Sequence, residues 1–534
     1  MFCDLRTRKS CLEIRNWQLE IPALRAGLSL IEAVLVIAIL AILATVGTIS
    51  WLGFRGTAEL DTAADSIVEL ATEARGNAIS GQDFSLWRIV ANNPSSGLSY
   101  VTLEQCTDVS CATTVEKRRH TLSSAVEFSK PGDGSSINAI FKQRSGELSD
   151  GITKSLEIYS KNNPSQFRII IIYGTGLVEI HHPVWSISYD TSQSQGRSLV
   201  YDPINKNIYA GTAVSNARIY RCDVASRCDS VADWAEAFDP PSGVGGIYSF
   251  GIDSSNKILY AGTGSGTNGG VIYRCNAAST VCSAQAQWNT SFDTAEDAIY
   301  SFGFDSFNKI LYAGAELGDA PENAKIFRCD TATSGSCDDS ADWTNPLSNS
   351  NDAFLSMAYD DSNKVVYAGA RGGGAEIYRC PAPVAGSCAL SSNWTANLNV
   401  TSTSGVSGYS MIFDPLNKVL YAGMSGGGLI FRCDTSTGCD NPTEGVEWKL
   451  VFDTPEDKIR SLGLDSVHGV VYAGTEPNGL IYRCLTATGC DAAGDWSLSF
   501  DTPQTVIYSF AFDPANLVLY AGSGPNGIFY RFGD

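Results

Sequence analysis

The cysteines are the residues whose type and spacing most clearly indicate chemistry. The chain has sixteen, and fourteen of them fall into close pairs whose members are separated by four to seven residues. Close pairs of this kind in an exported protein are typical of disulfides that each close a short loop. The predicted disulfide residues are Cys106, Cys111, Cys222, Cys228, Cys275, Cys282, Cys329, Cys337, Cys380, Cys388, Cys433, Cys439, Cys484 and Cys490.

A metal site is the alternative chemistry for paired cysteines, and the sequence argues against it. Zinc knuckles use a Cys-x2-Cys spacing or recruit histidines, whereas the intervals here are longer and the chain has only four histidines. The sequence also contains no Asp-x-(Asp/Asn)-x-(Asp/Asn)-Gly loop of the calcium-binding type. We predict no metal ligands and no cofactor.

Arginines and serines that could serve catalysis recur at equivalent positions of a repeated unit. A residue that is placed equivalently in every repeat most simply serves the repeat itself. His120, His181, His182 and His468 are scattered, so no Ser/His/Asp set can be nominated. We predict no catalytic residue and no enzyme. The repeated residues are Arg221, Arg274, Arg328, Arg379, Arg432, Arg483 and Arg531, with Ser198, Ser249, Ser301, Ser356, Ser410, Ser461 and Ser509.

One carboxylate, Glu32, interrupts an apolar run that is long enough to cross a membrane. Residues 28–54 carry no other charge, and a helix of that length rises about 40 Å. The preceding segment has five basic and three acidic residues, so the positive-inside tendency places it in the cytoplasm. An isolated carboxylate in hydrocarbon costs about 2.5–3.5 kcal/mol unless it finds a partner. We therefore expect Glu32 to have a partner.

The order Gly27, Leu28, Ser29, Leu30, Ile31, Glu32, followed by an aliphatic helix, resembles the N-terminus of type IV prepilins and type II secretion pseudopilins. The resemblance implies cleavage between Gly27 and Leu28 by a prepilin peptidase, and methylation of the new amine. It also implies that Glu32 contacts the N-terminal ammonium of a neighbouring pilin or pseudopilin subunit during assembly. Residues 1–27 are then a leader peptide, and residues 28–54 a transmembrane helix.

The region from residue 55 to 182 predicts a small domain. Apolar residues from Leu60 to Ala78 recur at three- and four-residue steps, which predicts that the helix continues to about Ile79. Short alternating runs then predict an antiparallel sheet packed on this stem. The segments INAIFKQRSGELSD and FRIIIIYGTGLVEI resemble the strand pairs of H-type pseudopilins and FimT-like minor pilins, although less closely than the N-terminus resembles prepilins.

Seven repeats occupy residues 184–534. The tripeptide Tyr-Ala-Gly recurs seven times at intervals of 48 to 55 residues, and each unit is long enough for the four strands of one propeller blade. The last unit lacks its final strand, while residues 184–191 match the segment WSLSFDT that precedes the seventh unit. Pairing residues 185–190 with 528–531 would close the ring and leave no open sheet edge. The cysteine loop with its tryptophan resembles, in position only, the Asp-box of sialidase-like propellers.

The predicted fold class is therefore an α+β pilin-like N-terminal domain, with a long transmembrane helix and an antiparallel sheet, followed by an all-β seven-bladed propeller. The formal net charge is −20, and −22 without the leader, which makes nucleic acid a poor partner. The expected partners are other pilin or pseudopilin subunits, the prepilin peptidase and the inner membrane. The expected location is the bacterial inner membrane, with one span and the remainder in the periplasm or on a filament tip.

Three functions fit this organisation. The first is a minor pilin or H-type pseudopilin whose propeller forms a binding or adhesion head, for a secreted client or a surface ligand, at the tip of a pilus or type II secretion pseudopilus. The second is a membrane-anchored exported enzyme with a glycosidase-like propeller, and the third is a passive cap. If the propeller binds a ligand, the loops that follow Tyr-Ala-Gly are the expected site, because they differ in length and charge.

Overall fold

The structure is a computed structural model that describes residues 57–533, except 82–84, 133, 153, 162, 182–183, 214–216, 265, 267–268, 279–280, 317–323, 333–336, 373–375, 385, 401–405 and 487–488. These residues belong to one compact unit. Two regions follow each other along it, a headpiece (residues 57–181) and a ring of β-sheets (residues 184–533). The predicted leader and the predicted membrane helix, residues 1–54, lie outside the described residues.

The headpiece contains one helix, α1 (residues 57–80), and eight strands in its described part. They form two sheets, in the orders β3-β2-β1-β5 and β4-β6-β7-β8. The apolar stripe of α1, from Leu60 to Ala78, is buried against both sheets, and Asp61 on its other face pairs with Arg168 at 2.7 Å. The strands are β1 (Trp87–Asn93), β2 (Tyr100–Cys106), β3 (Thr114–Thr121), β4 (Val126–Lys130), β5 (Ser135–Phe141), β6 (Lys154–Ser160), β7 (Asn163–Ile172) and β8 (Val178–His181).

The predicted fold class is corrected at the N-terminal side. The helix in the described residues is short, carries five carboxylates on its outer face, and is followed by strands alone apart from single 3-10 turns. No helix in the described part of the chain is long and apolar enough to cross a membrane. The expected α+β domain with a long transmembrane helix, and the expected single-pass location in the inner membrane, are therefore not supported.

Seven four-stranded antiparallel sheets make up residues 184–533 as described. Their first strands lie side by side in a closed cycle, so the ring is a seven-bladed β-propeller. The first strands are β10 (Gln195–Asp202), β14 (Gly246–Asp253), β18 (Ala298–Asp305), β22 (Ala353–Asp360), β26 (Gly408–Asp414), β30 (Lys458–Asp465) and β34 (Val506–Asp513). The second strands are β11 (Asn207–Ala213), β15 (Ile258–Gly264), β19 (Ile310–Glu316), β23 (Val365–Arg371), β27 (Val419–Met424), β31 (Val470–Glu476) and β35 (Val518–Gly524).

The outer half of each blade holds the third and fourth strands. The third strands are β12 (Ile219–Asp223), β16 (Val271–Asn276), β20 (Ala324–Asp330), β24 (Ile377–Pro381), β28 (Leu429–Asp434), β32 (Leu480–Leu485) and β36 (Ile528–Gly533). The fourth strands are β13 (Trp234–Phe238), β17 (Trp288–Asp293), β21 (Trp343–Asn349), β25 (Thr395–Leu398), β29 (Trp448–Asp453), β33 (Trp496–Asp501) and, in blade seven, β9 (Val184–Asp190). A 3-10 turn lies before the outer tryptophan at Val231–Asp233, Gln285–Gln287, Ser340–Asp342, Ser391–Asn393 and Ala493–Asp495, and another follows β12 at Val224–Ser226.

The turn between the first two strands of a blade also joins neighbouring blades. In blade two, the Asp253 carboxylate accepts hydrogen bonds from the backbone N–H groups of Ser255 and Asn256, as in an Asx turn. The Asn256 amide then donates to Asp253 at 2.7 Å and to the Thr331 carbonyl of blade three at 3.2 Å. The repeated Asp-x-x-Asn sequence therefore both forms the turn and links the blades.

The headpiece packs against blades six and seven. Phe167, Ile169 and Ile171 of β7 are buried in one cluster with propeller residues that include Tyr472 and Phe532. Beside this cluster, the fully buried carboxylate of Glu157 accepts a hydrogen bond from the Arg483 guanidinium at 3.2 Å. Apolar packing and a buried ion pair thus hold the headpiece on the propeller.

Candidate functional site

The central channel of the propeller is lined by the residue that precedes each repeated serine. In every blade the register between the first and second strands shifts at this point, which marks a β-bulge. A bulged residue is released from strand pairing, and bulges of this kind often direct a side chain into a functional site. Together with Arg371, these residues line a cavity of about 180 Å³: Arg197, Tyr248, Tyr300, Leu355, Tyr409, Arg460 and Tyr508.

Tyrosine rings surround the two arginines of this set. The Arg197 guanidinium lies 4.5 Å from the ring centre of Tyr248 and 4.4 Å from that of Tyr508. The Arg460 guanidinium lies 4.6 Å from the ring centre of Tyr409. Stacking of this kind holds a guanidinium in place while leaving its N–H donors at the edge of the plane. The channel therefore presents oriented donors between apolar walls.

The ends of the second strands add two carboxylates and a third arginine. Glu316 pairs with Arg371, and Glu476 pairs with Arg460 and, at 3.0 Å, with Lys458. Burial alone would raise the pKa of Glu476, but Arg460 and Lys458 outweigh it, and the pKa lies below its ordinary value. Glu476 is therefore ionised at neutral pH, and two of the three channel arginines are already neutralised by the chain itself.

Arg197 differs from the other two arginines. No carboxylate of the described residues lies within ion-pair distance of its guanidinium, and its contacts are with the rings of Tyr248, Tyr300 and Tyr508. Among the described residues at the cavity, one cation more than the number of carboxylates is present, within a chain whose formal charge is −20. The cations are Arg197, Arg371, Arg460 and Lys458, and the carboxylates are Glu316, Glu476 and Asp352. A cationic cleft in a low-dielectric surround concentrates field lines and attracts small anions.

The repeated residues hold the blades together instead of forming a site. The Ser249 hydroxyl donates to the Ile299 carbonyl of the next blade at 2.8 Å, and Ser198 and Ser461 make equivalent bonds. The repeated arginines lie on the third strand opposite the tyrosine of Tyr-Ala-Gly, as Arg274 does opposite Tyr260. Neither set reaches the channel cavity, since the residues that line it stand elsewhere in the repeat.

The structure describes the predicted disulfide residues but not the predicted processing and assembly residues. Within the described residues, seven disulfides join the close cysteine pairs, from Cys106–Cys111 to Cys484–Cys490. The processing residues Gly27 and Leu28 and the assembly residue Glu32 lie outside the described residues. Most of the variable loops after Tyr-Ala-Gly also fall outside them in part, but Glu316 and Arg371, at the ends of the second strands that lead into two of these loops, are described and lie beside the channel.

The channel residues were not found from the sequence, although a signal for them exists. The repeated serine and the aspartate four residues after it are constant, whereas the position before the serine varies among arginine, tyrosine and leucine. Variation inside an otherwise regular repeat marks the position where the blades differ in role. The sequence does not show that this position lines the channel, because that depends on the β-bulge. In a regular strand the same side chain would pack between blades.

Clusters of three or more histidine, cysteine, aspartate or glutamate side chains suited to a metal ion do not occur among the described residues. Comparison with protein-family models and with curated proteins finds no match for this chain. The resemblance to type IV pilins and pseudopilins is therefore corrected: no family match supports it, and the described chain is mostly β with one short helix. The comparison also finds no match to Asp-box propellers, so the propeller architecture is the only feature that supports this resemblance.

Proposed function

We propose that the propeller is a ligand-binding module that takes up an anionic group at its central channel. The observation that carries the proposal is Arg197, whose guanidinium is stacked between Tyr248 and Tyr508 and has no carboxylate partner among the described residues. Arg371 and Arg460 sit in the same cavity and each holds a carboxylate of this chain. A ligand anion would complete the set at Arg197.

The alternative of a glycosidase-like enzyme has less support in this cavity. A glycosidase needs one carboxyl group with a raised pKa to act as a general acid. Glu476 has a lowered pKa, because Arg460 and Lys458 outweigh the effect of its burial. Burial and the nearby carboxylate of Glu316 raise the pKa of Tyr300, so its phenol stays neutral and is a weak nucleophile. Binding without catalysis is the simpler use of these groups.

The proposal concerns the propeller alone. The expected role of the whole chain as a minor pilin or pseudopilin at a filament tip depends on residues 1–54, which lie outside the described residues. The expected partner class, a secreted client or a surface ligand, stays a prediction.

The test is anion binding by the full chain and by Arg197→Met, which keeps an unbranched side chain and removes the charge. Sodium acetate, phosphate and sulfate are titrated at constant ionic strength, and binding is followed by intrinsic tyrosine and tryptophan fluorescence and by calorimetry. We expect saturable binding of at least one anion to the unmodified chain, and a loss of about tenfold or more in affinity for Arg197→Met.

The matched control is Arg218→Met, which removes an arginine that pairs with Glu236 on the outer surface of blade one. This variant should bind the anions as the unmodified chain does. If no anion binds saturably, or if both variants lose affinity equally, the channel is not an anion site and the proposal fails.

A further inference from the structure

A second binding surface lies on the headpiece, along the outer edge of β5. This strand pairs with β1 along one side, and on its other side the end of the strand, Ile140 and Phe141, is bonded to the segment at Leu148 and Ser149. The Ile140 carbonyl accepts a hydrogen bond from the Ser149 N–H at 2.7 Å, so the backbone groups of Ile140 point away from β1. Because these groups alternate along an antiparallel strand, the N–H and C=O groups of Asn138 and Ser136 point the same way. No strand among the described residues pairs with them.

This edge forms one wall of a groove of about 940 Å³ between the headpiece and the propeller. The opposite wall comes from the start of β6 and the end of β7, where Lys154 and Ile171 lie. The strand β4 pairs with β6 only from residue 157 to 160, so the first half of β6 has no neighbour on the side of the groove. The turns of blades six and seven close one end, with Val467 exposed. The groove thus separates two strand edges within one headpiece.

The edge of β5 lacks the features that usually prevent strand addition. Proteins blunt an exposed edge with charged side chains, prolines, bulges or a very short strand. The edge strand β3 of the same sheet carries Lys117, Arg118 and Arg119. The edge strand β8 of the other sheet is only four residues long. By contrast, the free part of β5, from Ser135 to Ala139, has the sequence SSINA, with no charge and no proline.

The groove also contains a lysine ammonium for which the described residues provide no ion pair. Lys130, at the end of β4, lines it, and no ion pair of its ammonium occurs among the described residues. Burial lowers the pKa of Lys130, although Glu157 and Asp465 oppose the effect. The other lysine of the groove, Lys154, is neutralised by Asp150 at 2.6 Å. A ligand carboxylate that paired with Lys130 would offset the cost of burying its charge, so the groove favours an acidic ligand.

We propose that this groove binds an extended acidic segment of a partner polypeptide, which adds a strand along β5 and directs a carboxylate to Lys130. Main-chain hydrogen bonds to Ser136 and Asn138 would supply affinity, and the lysine would supply selectivity for acidic sequences. The free edge from Ser135 to Ala139 is about 17 Å long, which suits a segment of five or six residues. This site is distinct from the propeller channel and does not depend on it.

The test uses a fluorescein-labelled hexapeptide of alternating valine and threonine with one glutamate, titrated with the full chain and followed by fluorescence anisotropy. The comparison peptides carry glutamine or lysine in place of the glutamate. We expect the acidic peptide to bind about tenfold more tightly than the glutamine peptide, and the lysine peptide to bind more weakly still. Equal binding of all three would contradict the role of Lys130.

Two variants separate the backbone from the charge. Asn138→Pro removes an outward N–H but no bond to β1, so the sheet should persist, since proline is tolerated on the free side of an edge strand. It should abolish binding of every peptide, whereas Asn138→Ala, which keeps the N–H, should not. Lys130→Met should remove the preference for glutamate but retain weak binding, whereas Lys142→Met, which removes an exposed lysine, should change nothing.

Folding of each variant is checked by far-ultraviolet circular dichroism, so that a loss of binding is attributed to the edge and not to unfolding. If Asn138→Pro folds and still binds the acidic peptide, strand addition at β5 is wrong. If the full chain instead binds no peptide and self-associates in a way that Asn138→Pro abolishes, the occupant is a second copy of this chain, and the proposal of a separate acidic partner is overturned.

Discussion

Blades one to six and blade seven close their outer ends by different means. In the first six, a cysteine follows the repeated arginine of the third strand and forms a disulfide across a short loop, as in Cys275–Cys282. In blade seven, Phe532 stands at that position and packs against Trp185, with ring centres 5.0 Å apart, and against Phe167 of the headpiece at 5.6 Å. The headpiece thus occupies the place of the missing loop.

The ion pairs at these ends differ in the same way. Arg274 and Arg379 each face an aspartate that follows the second cysteine of the next blade, at 3.6 Å and 3.7 Å, and those carboxylates are more than 60% exposed. Arg483 of blade six has no such loop beside it and pairs with Glu157, whose side chain is 3% exposed. Disulfides close the first six blades, and the arginines of blades two and four have solvated partners. The arginine of blade six and the closure of blade seven rely instead on desolvated contacts with the headpiece. The closure of blade seven should therefore be the most sensitive to single substitutions.

Replacement of Glu157 by alanine should have the largest effect on stability. It removes the carboxylate that pairs with the buried Arg483 guanidinium, and breaking a buried ion pair from one side costs about 3–5 kcal/mol. Chemical denaturation followed by tryptophan fluorescence would measure the loss, and hydrogen exchange should show it first in β36 and β9. Glu236→Ala, which breaks the half-exposed pair with Arg218, should cost under about 1 kcal/mol.

A double replacement, Glu157→Met with Arg483→Met, distinguishes packing from charge at the same place. Substitution of a buried ion pair by apolar groups of similar volume is often neutral or stabilising. We expect most of the stability lost in Glu157→Ala to return. A double variant as unstable as the single one would show that the pair orients the headpiece and does more than balance a buried charge.

Removal of one disulfide should have a smaller effect. Cys275→Ser with Cys282→Ser opens a loop of eight residues, for which the loop-entropy estimate is about 2.5 kcal/mol. The change should be confined to blade two, because the loop that this disulfide closes joins two strands of that blade, β16 and β17. Hydrogen exchange of β16 and β17 would report it. A loss of protection that spreads around the ring to β36 would contradict this prediction. It would mean that one disulfide stabilises the whole propeller and not only its own blade.

The features of this fold that could be predicted from the sequence are the ones that repeat. The Tyr-Ala-Gly interval, the cysteine pairs and the matching segment at residues 184–191 are periodic, so they indicate blades, disulfides and a closing strand. The contacts of Glu157 and Phe167 with blades six and seven occur once, between segments more than 300 residues apart, and no periodicity marks them. Arg197 was missed for a related reason, since its bulge is a tertiary feature. The expected membrane helix was inferred from residues outside the described structure.

The outer tryptophans allow a finer comparison between blades. In blade three the Trp343 indole N–H donates to Ser291 at 3.2 Å, and the Ser291 hydroxyl donates to the Cys337 carbonyl. Ser291 is the third residue after the tryptophan of blade two. Ser291→Ala should remove the acceptor of the buried Trp343 indole N–H, together with the hydrogen bond to the Cys337 carbonyl, and cost about 1–3 kcal/mol. The denaturation midpoint measures this loss. Ser186→Ala, at a half-buried position of β9, serves as the control, and an equal loss there would exclude the hydrogen bonds as the cause.

Blade two provides the reciprocal case, in which a stabilising change is expected. Ala237 of blade one stands at the position that Ser291 has in blade two and Ser188 in blade seven. The Trp288 indole N–H of blade two faces it and is buried without a partner among the described residues. Ala237→Ser should let the hydroxyl accept from Trp288 and donate to the Cys282 carbonyl, as Ser291 does in the next blade. The expected gain is about 1 kcal/mol, because the buried indole N–H of Trp288 gains an acceptor. A denaturation midpoint that stays unchanged or falls would mean that blade two cannot adopt the geometry of blade three, and that the hydrogen bond at Ser291 depends on the spacing of its own pair of blades.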